Sequence, residues 1–114
     1  FDAVEQSDAL VVGSSVYKGA YTGFFKHFFD QFDREALAGK PVLVTATGRS
    51  PAYDSIIDYH LRPLFIFFDA RVATRGLYAL PDDFVDYDAI QPACQARIER
   101  SVDELHEMLQ RISA

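Results

Sequence analysis

Ala9-Leu10-Val11-Val12-Gly13 and Pro41-Val42-Leu43-Val44-Thr45-Ala46 are the two stretches whose reading decides the fold. Each is short and almost unbroken in its apolar character. Runs of this kind belong to strands covered on both faces, as in parallel sheets held between layers of helix. Upstream of the first run, Phe1 and Val4 read as the end of a helix closed by the polar run Glu5, Gln6, Ser7, Asp8. Downstream, past a loop from Ser14 to Thr22, the residues Phe25, Phe28, Phe29 and Phe32 recur at helical spacing, with Thr22 placed to cap the N-terminus.

The second run is followed by a predicted turn, Thr47 to Pro51, and then by a helix from about Ala52 to Phe68. Arg71 to Tyr78 reads as a third strand of different character. Val72, Thr74 and Gly76 share one face, and Ala73, Arg75 and Leu77 the other. Polar residues mixed in this way suit a sheet edge, where they discourage pairing with other chains. A polar loop through Pro81, Asp82 and Asp83 leads to a last helix with Ile98, Val102, Leu105, Leu109 and Ile112 in one stripe.

Strand and helix alternate with short links. That order predicts an α/β fold, a doubly wound parallel sheet with right-handed crossovers. The 114 residues suffice for one domain and are too few for two. The first strand carries no polar protection, so neighbours are expected on both of its sides, yet the chain offers it only one. The chain also begins at Phe1 rather than Met. The expectation is a single domain over residues 1–114, the C-terminal portion of a sheet lacking its first strand or strands.

Seventeen acidic residues against 11 basic ones give a net charge of -6, which disfavours nucleic acid and anionic membrane surfaces as partners. No apolar stretch approaches the ~20 residues of a membrane span, and no signal peptide is visible. Cys94 is the single cysteine, so no internal disulfide forms and a reducing cytoplasm is expected. Nothing near Cys94 in sequence activates its thiol, and a buried structural role is the reading preferred. His27 and His106 lack metal-ligand company, and no metal site is expected.

The helix from Ala52 to Phe68 has too much apolar surface for one face. Ile57, Leu61, Leu64, Phe65 and Phe68 make one stripe; Ile56, Tyr59, Pro63, Ile66 and Phe67 make another. The second stripe predicts an interface with another subunit, hence a homo-oligomer. Pro63 removes a backbone donor from the helix interior and predicts a kink or bulge.

Open parallel sheets bind ligands beyond the C-terminal ends of their strands. Two loops occupy that edge, Ser14-Ser15-Val16-Tyr17-Lys18-Gly19-Ala20-Tyr21-Thr22-Gly23 and Thr47-Gly48-Arg49-Ser50-Pro51. Small residues let their amides approach a flat ligand, Tyr17 and Tyr21 add aromatic surface, and Lys18 adds charge. Spacing alone fits ordinary turns equally well, with Thr22 and Ser50 as helix caps.

The motifs Ser15-Val16-Tyr17-Lys18-Gly19-Ala20-Tyr21-Thr22-Gly23, Ala38-Gly39-Lys40-Pro41-Val42-Leu43, Ala46-Thr47-Gly48 and Asp58-Tyr59-His60-Leu61-Arg62-Pro63-Leu64 occur in this order. In them the chain resembles the NAD(P)H-dependent FMN reductases of flavodoxin-like fold, above all those that supply reduced flavin to two-component monooxygenases. The resemblance runs from about Asp8 to Tyr78. It implies FMN and NAD(P)H as ligands and a flavin-dependent monooxygenase as partner. It also places Ser15, Val16, Tyr17 and Lys18 along the flavin ring and ribityl chain, and the amides of Thr47, Gly48, Arg49 and Ser50 at the pyrimidine end. Hydride chemistry belongs to the two nucleotides, so no catalytic side chain is required. Tyr59 falls where such reductases carry an inserted residue that forms a π-bulge at a subunit interface; a plain core tyrosine and a solvent-facing His60 are the alternatives.

Three positions depart from the family, which commonly has Pro at Ser15, Gly at Arg49 and His at Tyr53. Arg49 either pairs with a cofactor phosphate or points to solvent. The Ser/Gly-rich loop with which the family wraps the FMN phosphate has no counterpart in the chain. Two other readings stay open: a quinone or small-molecule reductase with tightly held flavin, and a non-catalytic fragment acting in an assembly.

Overall fold

The computed structural model describes residues 1–86 and 89–113. Strand β1 (Leu10–Ser15) pairs in parallel with β2 (Pro41–Thr47), in register from Leu10 opposite Val42 to Ser15 opposite Thr47. On the far side of β2 lie β3 (Arg71–Val72) and β4 (Leu77–Ala79), both also parallel to it. The expected third strand, Arg71 to Tyr78, is thus broken in two. Val42 pairs with Val72 and Thr45 with Leu77, so residues 43–44 of β2 face residues 73–76.

The physical cause of the break lies outside the strand. The Glu104 carboxylate accepts the Thr74 and Arg75 amides at 2.7 and 3.4 Å, and the Arg62 guanidinium donates to the Ala73 and Thr74 carbonyls at 2.8 and 3.0 Å. With their backbone groups satisfied by side chains, these residues leave the ladder without leaving bare donors or acceptors. The bulge adds an even number of residues, so the two-residue alternation of faces survives. Val72 and Tyr78 both pack on one face, Ala73 and Leu77 on the other.

One face of the sheet, Val12, Val42, Val44 and Ala46, packs against Phe29, Phe32, Leu37, Ile56, Ile57, Leu61, Phe65 and Phe68. Helix α1 (Asp2–Gln6) and helix α2 (Gly23–Phe29) flank this layer, and Thr22 Oγ1 accepts the Phe25 N–H at 3.1 Å, the cap expected of it. Phe32 lies past the end of α2 yet is buried, its ring stacked 5.7 Å from that of Phe29. Lys40, itself buried, sends its ammonium to the Val4, Glu5 and Ser7 carbonyls and so fastens the end of α1 to the start of β2. Cations are favoured at helix C-termini for the same reason.

The opposite face carries Leu43, Ala73 and Leu105, the last from the long helix α4 (Pro92–Ser113). Its buried line is Cys94, Ser101 and Leu105, whereas Val102 and Ile112 of the expected stripe remain half exposed. Helices on both faces of a parallel sheet make the fold doubly wound.

The stretch expected as one helix from Ala52 to Phe68 has three parts: a 3₁₀ segment (Pro51–Ser55), a π-helical turn (Ile57–Leu61) and α3 (Arg62–Phe67). The Arg62 N–H reaches back five residues to the Ile57 carbonyl, and Pro63 next to it has no N–H to restore the ordinary spacing. The π-turn therefore sits where the resemblance implies it, with Tyr59 inside. Of the two stripes, Ile57, Leu61, Phe65 and Phe68 are buried and Ile56 joins them, while Tyr59 is 76% and Phe67 54% exposed. Among the described residues no helix is long and apolar enough to cross a membrane.

Candidate functional site

Three loops meet at the C-terminal ends of the strands. They enclose an open pocket of about 410 Å³ lined by Ser15, Val16, Thr47, Gly48, Arg49, Tyr53, Ala79, Leu80, Pro81 and Phe84. Its size lies within the range of small-ligand clefts, ~300–1,000 Å³. Each loop is tied to its neighbour. The Val16 N–H donates to the Thr47 carbonyl at 2.8 Å, and the Gly48 N–H donates to the Ala79 carbonyl at 3.1 Å.

That second bond corrects one expectation. The Gly48 amide is spent on the third loop and is not free for a ligand. The Arg49 and Ser50 amides have no acceptor among the described residues; Arg49 lines the pocket and Ser50 follows it. Gly48 is required for a different reason. A Cβ there would run into the hydroxyl of Tyr78, which lies directly beneath the loop. Burial first, and then the nearby Asp54 carboxylate, push the Tyr78 hydroxyl above the ordinary tyrosine range, so it stays a donor. It donates to the Ser50 carbonyl at 2.7 Å. The Ser50 hydroxyl accepts the Ala52 N–H at 3.2 Å and caps the 3₁₀ segment.

Of the predicted residues, Ser15, Val16, Thr47, Gly48 and Arg49 come together on the pocket, and Ser50 stands just behind it. Tyr17 and Lys18 do not line it. They form the tip of a tight hairpin in which the Tyr17 N–H bonds the Ala20 carbonyl at 2.9 Å and the Ala20 N–H returns to Tyr17 at 3.2 Å. Lys18 and Gly19 both have positive φ, 52° and 81°, as a two-residue type I′ turn demands. Tyr17 instead lines a separate apolar hollow with Thr22, Gly23, Phe24 and His27. His60, half-buried, meets Tyr21 edge-on at 6.2 Å rather than facing open solvent.

Sequence reasoning missed the third wall, Ala79, Leu80, Pro81 and Phe84, and took no account of Tyr53 as a lining residue. The strand-end rule that selected the first two loops applies equally to the loop after Tyr78. Its shape depends on side chains: Asp83 accepts the Leu80 N–H at 2.8 Å and pairs with Arg97 at 3.4 Å, and Arg97 also donates to the Tyr78 carbonyl at 2.9 Å. The residues suit a planar, oxygen-rimmed ring. Val16, Leu80, Pro81 and Phe84 supply apolar surface, and Arg49 lines the same space.

Comparison with known proteins gives the family. Residues 1–85 match the NADPH-dependent FMN reductase family, and the chain belongs to that family; its fold is flavodoxin-like. A curated relative, the NADH-dependent FMN reductase SfnF of Pseudomonas putida, is 46% identical over 108 residues, covering 95% of this chain and 58% of its own. Among solved structures, an oxidoreductase from Corynebacterium diphtheriae superimposes with a TM-score of 0.87 at 37% identity, covering 96% of this chain and 59% of that one. The apo NADH:FMN oxidoreductase EMOB gives 0.83 at 33% identity, covering 91% and 55%. The chain thus spans a little over half the length of the relatives it matches.

Proposed function

We propose that this chain carries the ring-facing part of an FMN site and serves in NAD(P)H-dependent reduction of FMN, with the reduced flavin passing to a separate monooxygenase. The observation that carries the reading is the convergence of three strand-end loops on one pocket, with the unpaired Arg49 amide in its lining and the unpaired Ser50 amide next to it in the chain. The bound nucleotides supply the hydride chemistry. The chain's own contribution is to bind and orient. Reduction places negative charge on the pyrimidine edge of a flavin, and fixed amide donors stabilise it without reorganising. Val16, Pro81 and Phe84 shield the ring from water, and the exposed Arg49 guanidinium offers a positive charge at the mouth. No acid or base is drawn from the protein.

In this reading residues 1–114 are the C-terminal portion of a single flavodoxin-like domain that works in the cytoplasm. Subunits associate through the Ala52–Phe68 stretch, where exposed Tyr59, Ile66 and Phe67 provide the apolar surface. Purified protein is expected to oxidise NADH or NADPH only when FMN is added, and to sediment as an oligomer that Tyr59→Glu dissociates. Oxidation that is independent of FMN, or none at all from folded protein, would overturn the enzymatic reading.

A further inference from the structure

Tyr78 touches the pocket's supports at both ends without lining the pocket itself. At its side-chain end the hydroxyl donates to the Ser50 carbonyl, which also accepts the Tyr53 N–H at 3.1 Å. The same hydroxyl lies under Gly48, where any side chain would strike it. At its backbone end the Tyr78 carbonyl is held by Arg97, which pairs with Asp83, the residue that fixes the turn of the third loop. One residue on β4 therefore joins the second loop to the third.

We infer that Tyr78 is a positioning residue for the flavin site, its hydroxyl fixing the Gly48–Ser50 backbone so that the Arg49 and Ser50 amides present themselves to the ring. The inference rests on the FMN reading given above. A carbonyl pinned by two donors cannot rotate its peptide plane freely. The Ser50 carbonyl belongs to the Ser50–Pro51 peptide, so holding it fixes the backbone immediately after the two free amides. Pro51 stiffens the same point from the other side, its ring restricting Ser50 to the extended conformation it has, φ −130° and ψ 140°. Gly48 supplies the clearance that lets the loop settle on the hydroxyl. Donors that must be in place before charge develops gain most from such support.

The test compares wild type with Tyr78→Phe, which keeps the ring and removes only the hydroxyl. Two readouts are taken, the FMN dissociation constant from flavin fluorescence and amide exchange at Ala52 and Tyr53 without flavin. The expected result is FMN binding weakened about tenfold or more, and exchange at those two amides faster by a similar factor, with β2 amides unchanged. FMN affinity within about twofold of wild type, together with unaltered exchange, would overturn the inference. Failure of the functional reading looks different. Wild type then binds no FMN, while the exchange contrast still decides whether the hydroxyl holds the loop. Gly48→Ala adds a second arm. If the loop seats on the hydroxyl, the double variant loses less affinity than the product of the two single losses. A full product would mean that the two positions act independently, and would overturn the inference.

Discussion

The two edges of the sheet are built on opposite principles. Along the β4 side, backbone groups from Ala73 to Arg75 and at Tyr78 meet side chains from other elements. Arg62 covers the Ala73 and Thr74 carbonyls, Glu104 the Thr74 and Arg75 amides, Ser101 the Arg75 carbonyl at 3.3 Å, and Arg97 the Tyr78 carbonyl. Along the β1 side nothing comparable occurs among the described residues. The side-chain bonds to its backbone come from Thr45, within the sheet, to the Val12 carbonyl, and from Ser14 to the Ser15 carbonyl at the strand's end. Val11 lies 63% exposed on the helix α4 side. The lesson is that edge protection need not be written in the strand that is protected. Charged side chains 11 to 30 residues away in the fold's other layers do it for the break before β4, while β1 has the composition of an interior strand and one partner strand among the described residues.

The largest effect should come from breaking the sealed edge. Arg62→Met strands two carbonyls and removes the partner of Asp58, which it contacts at 3.1 Å. A loss of about 2–3 kcal/mol in urea unfolding is expected. Glu104 comes next. Burial by itself would raise its carboxyl, but the Thr74 and Arg75 N–H bonds outweigh that and hold it below the usual glutamate value. A folded-state value that is depressed contributes stability above the ordinary glutamate range and loses it as pH falls through the folded one. Glu104→Gln should therefore cost about 1.5 kcal/mol at neutral pH and flatten the acid limb of the stability profile. An unchanged acid limb would show that the carboxylate is not the seal. The smallest thermodynamic change belongs to the open edge. Val11→Lys should alter stability by no more than about 0.5 kcal/mol in urea unfolding, because Val11 is already mostly exposed.

The same contrast explains how much of the molecule was legible beforehand. β1 and β2 announce themselves as apolar runs, and Thr22 and Pro63 carry local signals for a cap and a disturbed helix that the structure contains, while the π-turn at Tyr59 is implied by the family resemblance. Those features depend on near neighbours in sequence. The break between β3 and β4 depends on Arg62 and Glu104, and within the stretch only Gly76, where a Cβ would strike Ile57 and the Val44 carbonyl, gives a local sign of it. The site divides in the same way. Ser15, Val16, Thr47, Gly48 and Arg49 follow from the rule that ligands sit at strand ends, and they line the pocket. Tyr17 and Lys18 turn away because a Lys18–Gly19 tip closes the loop into a hairpin. The use of the Gly48 amide by Ala79, and the wall formed by Leu80, Pro81 and Phe84, arise from contacts between loops that the chain order does not display.

Of the hollows near the strand ends, the three-loop pocket should bind flavin. The most direct test is an FMN titration, followed by quenching of flavin fluorescence, of wild type, Phe84→Ala in the three-loop pocket and Phe24→Ala in the apolar hollow beside Tyr17. Saturable binding that weakens about tenfold in Phe84→Ala and is unchanged in Phe24→Ala is the result predicted. No quenching by folded wild-type protein, or a loss confined to Phe24→Ala, would contradict the account.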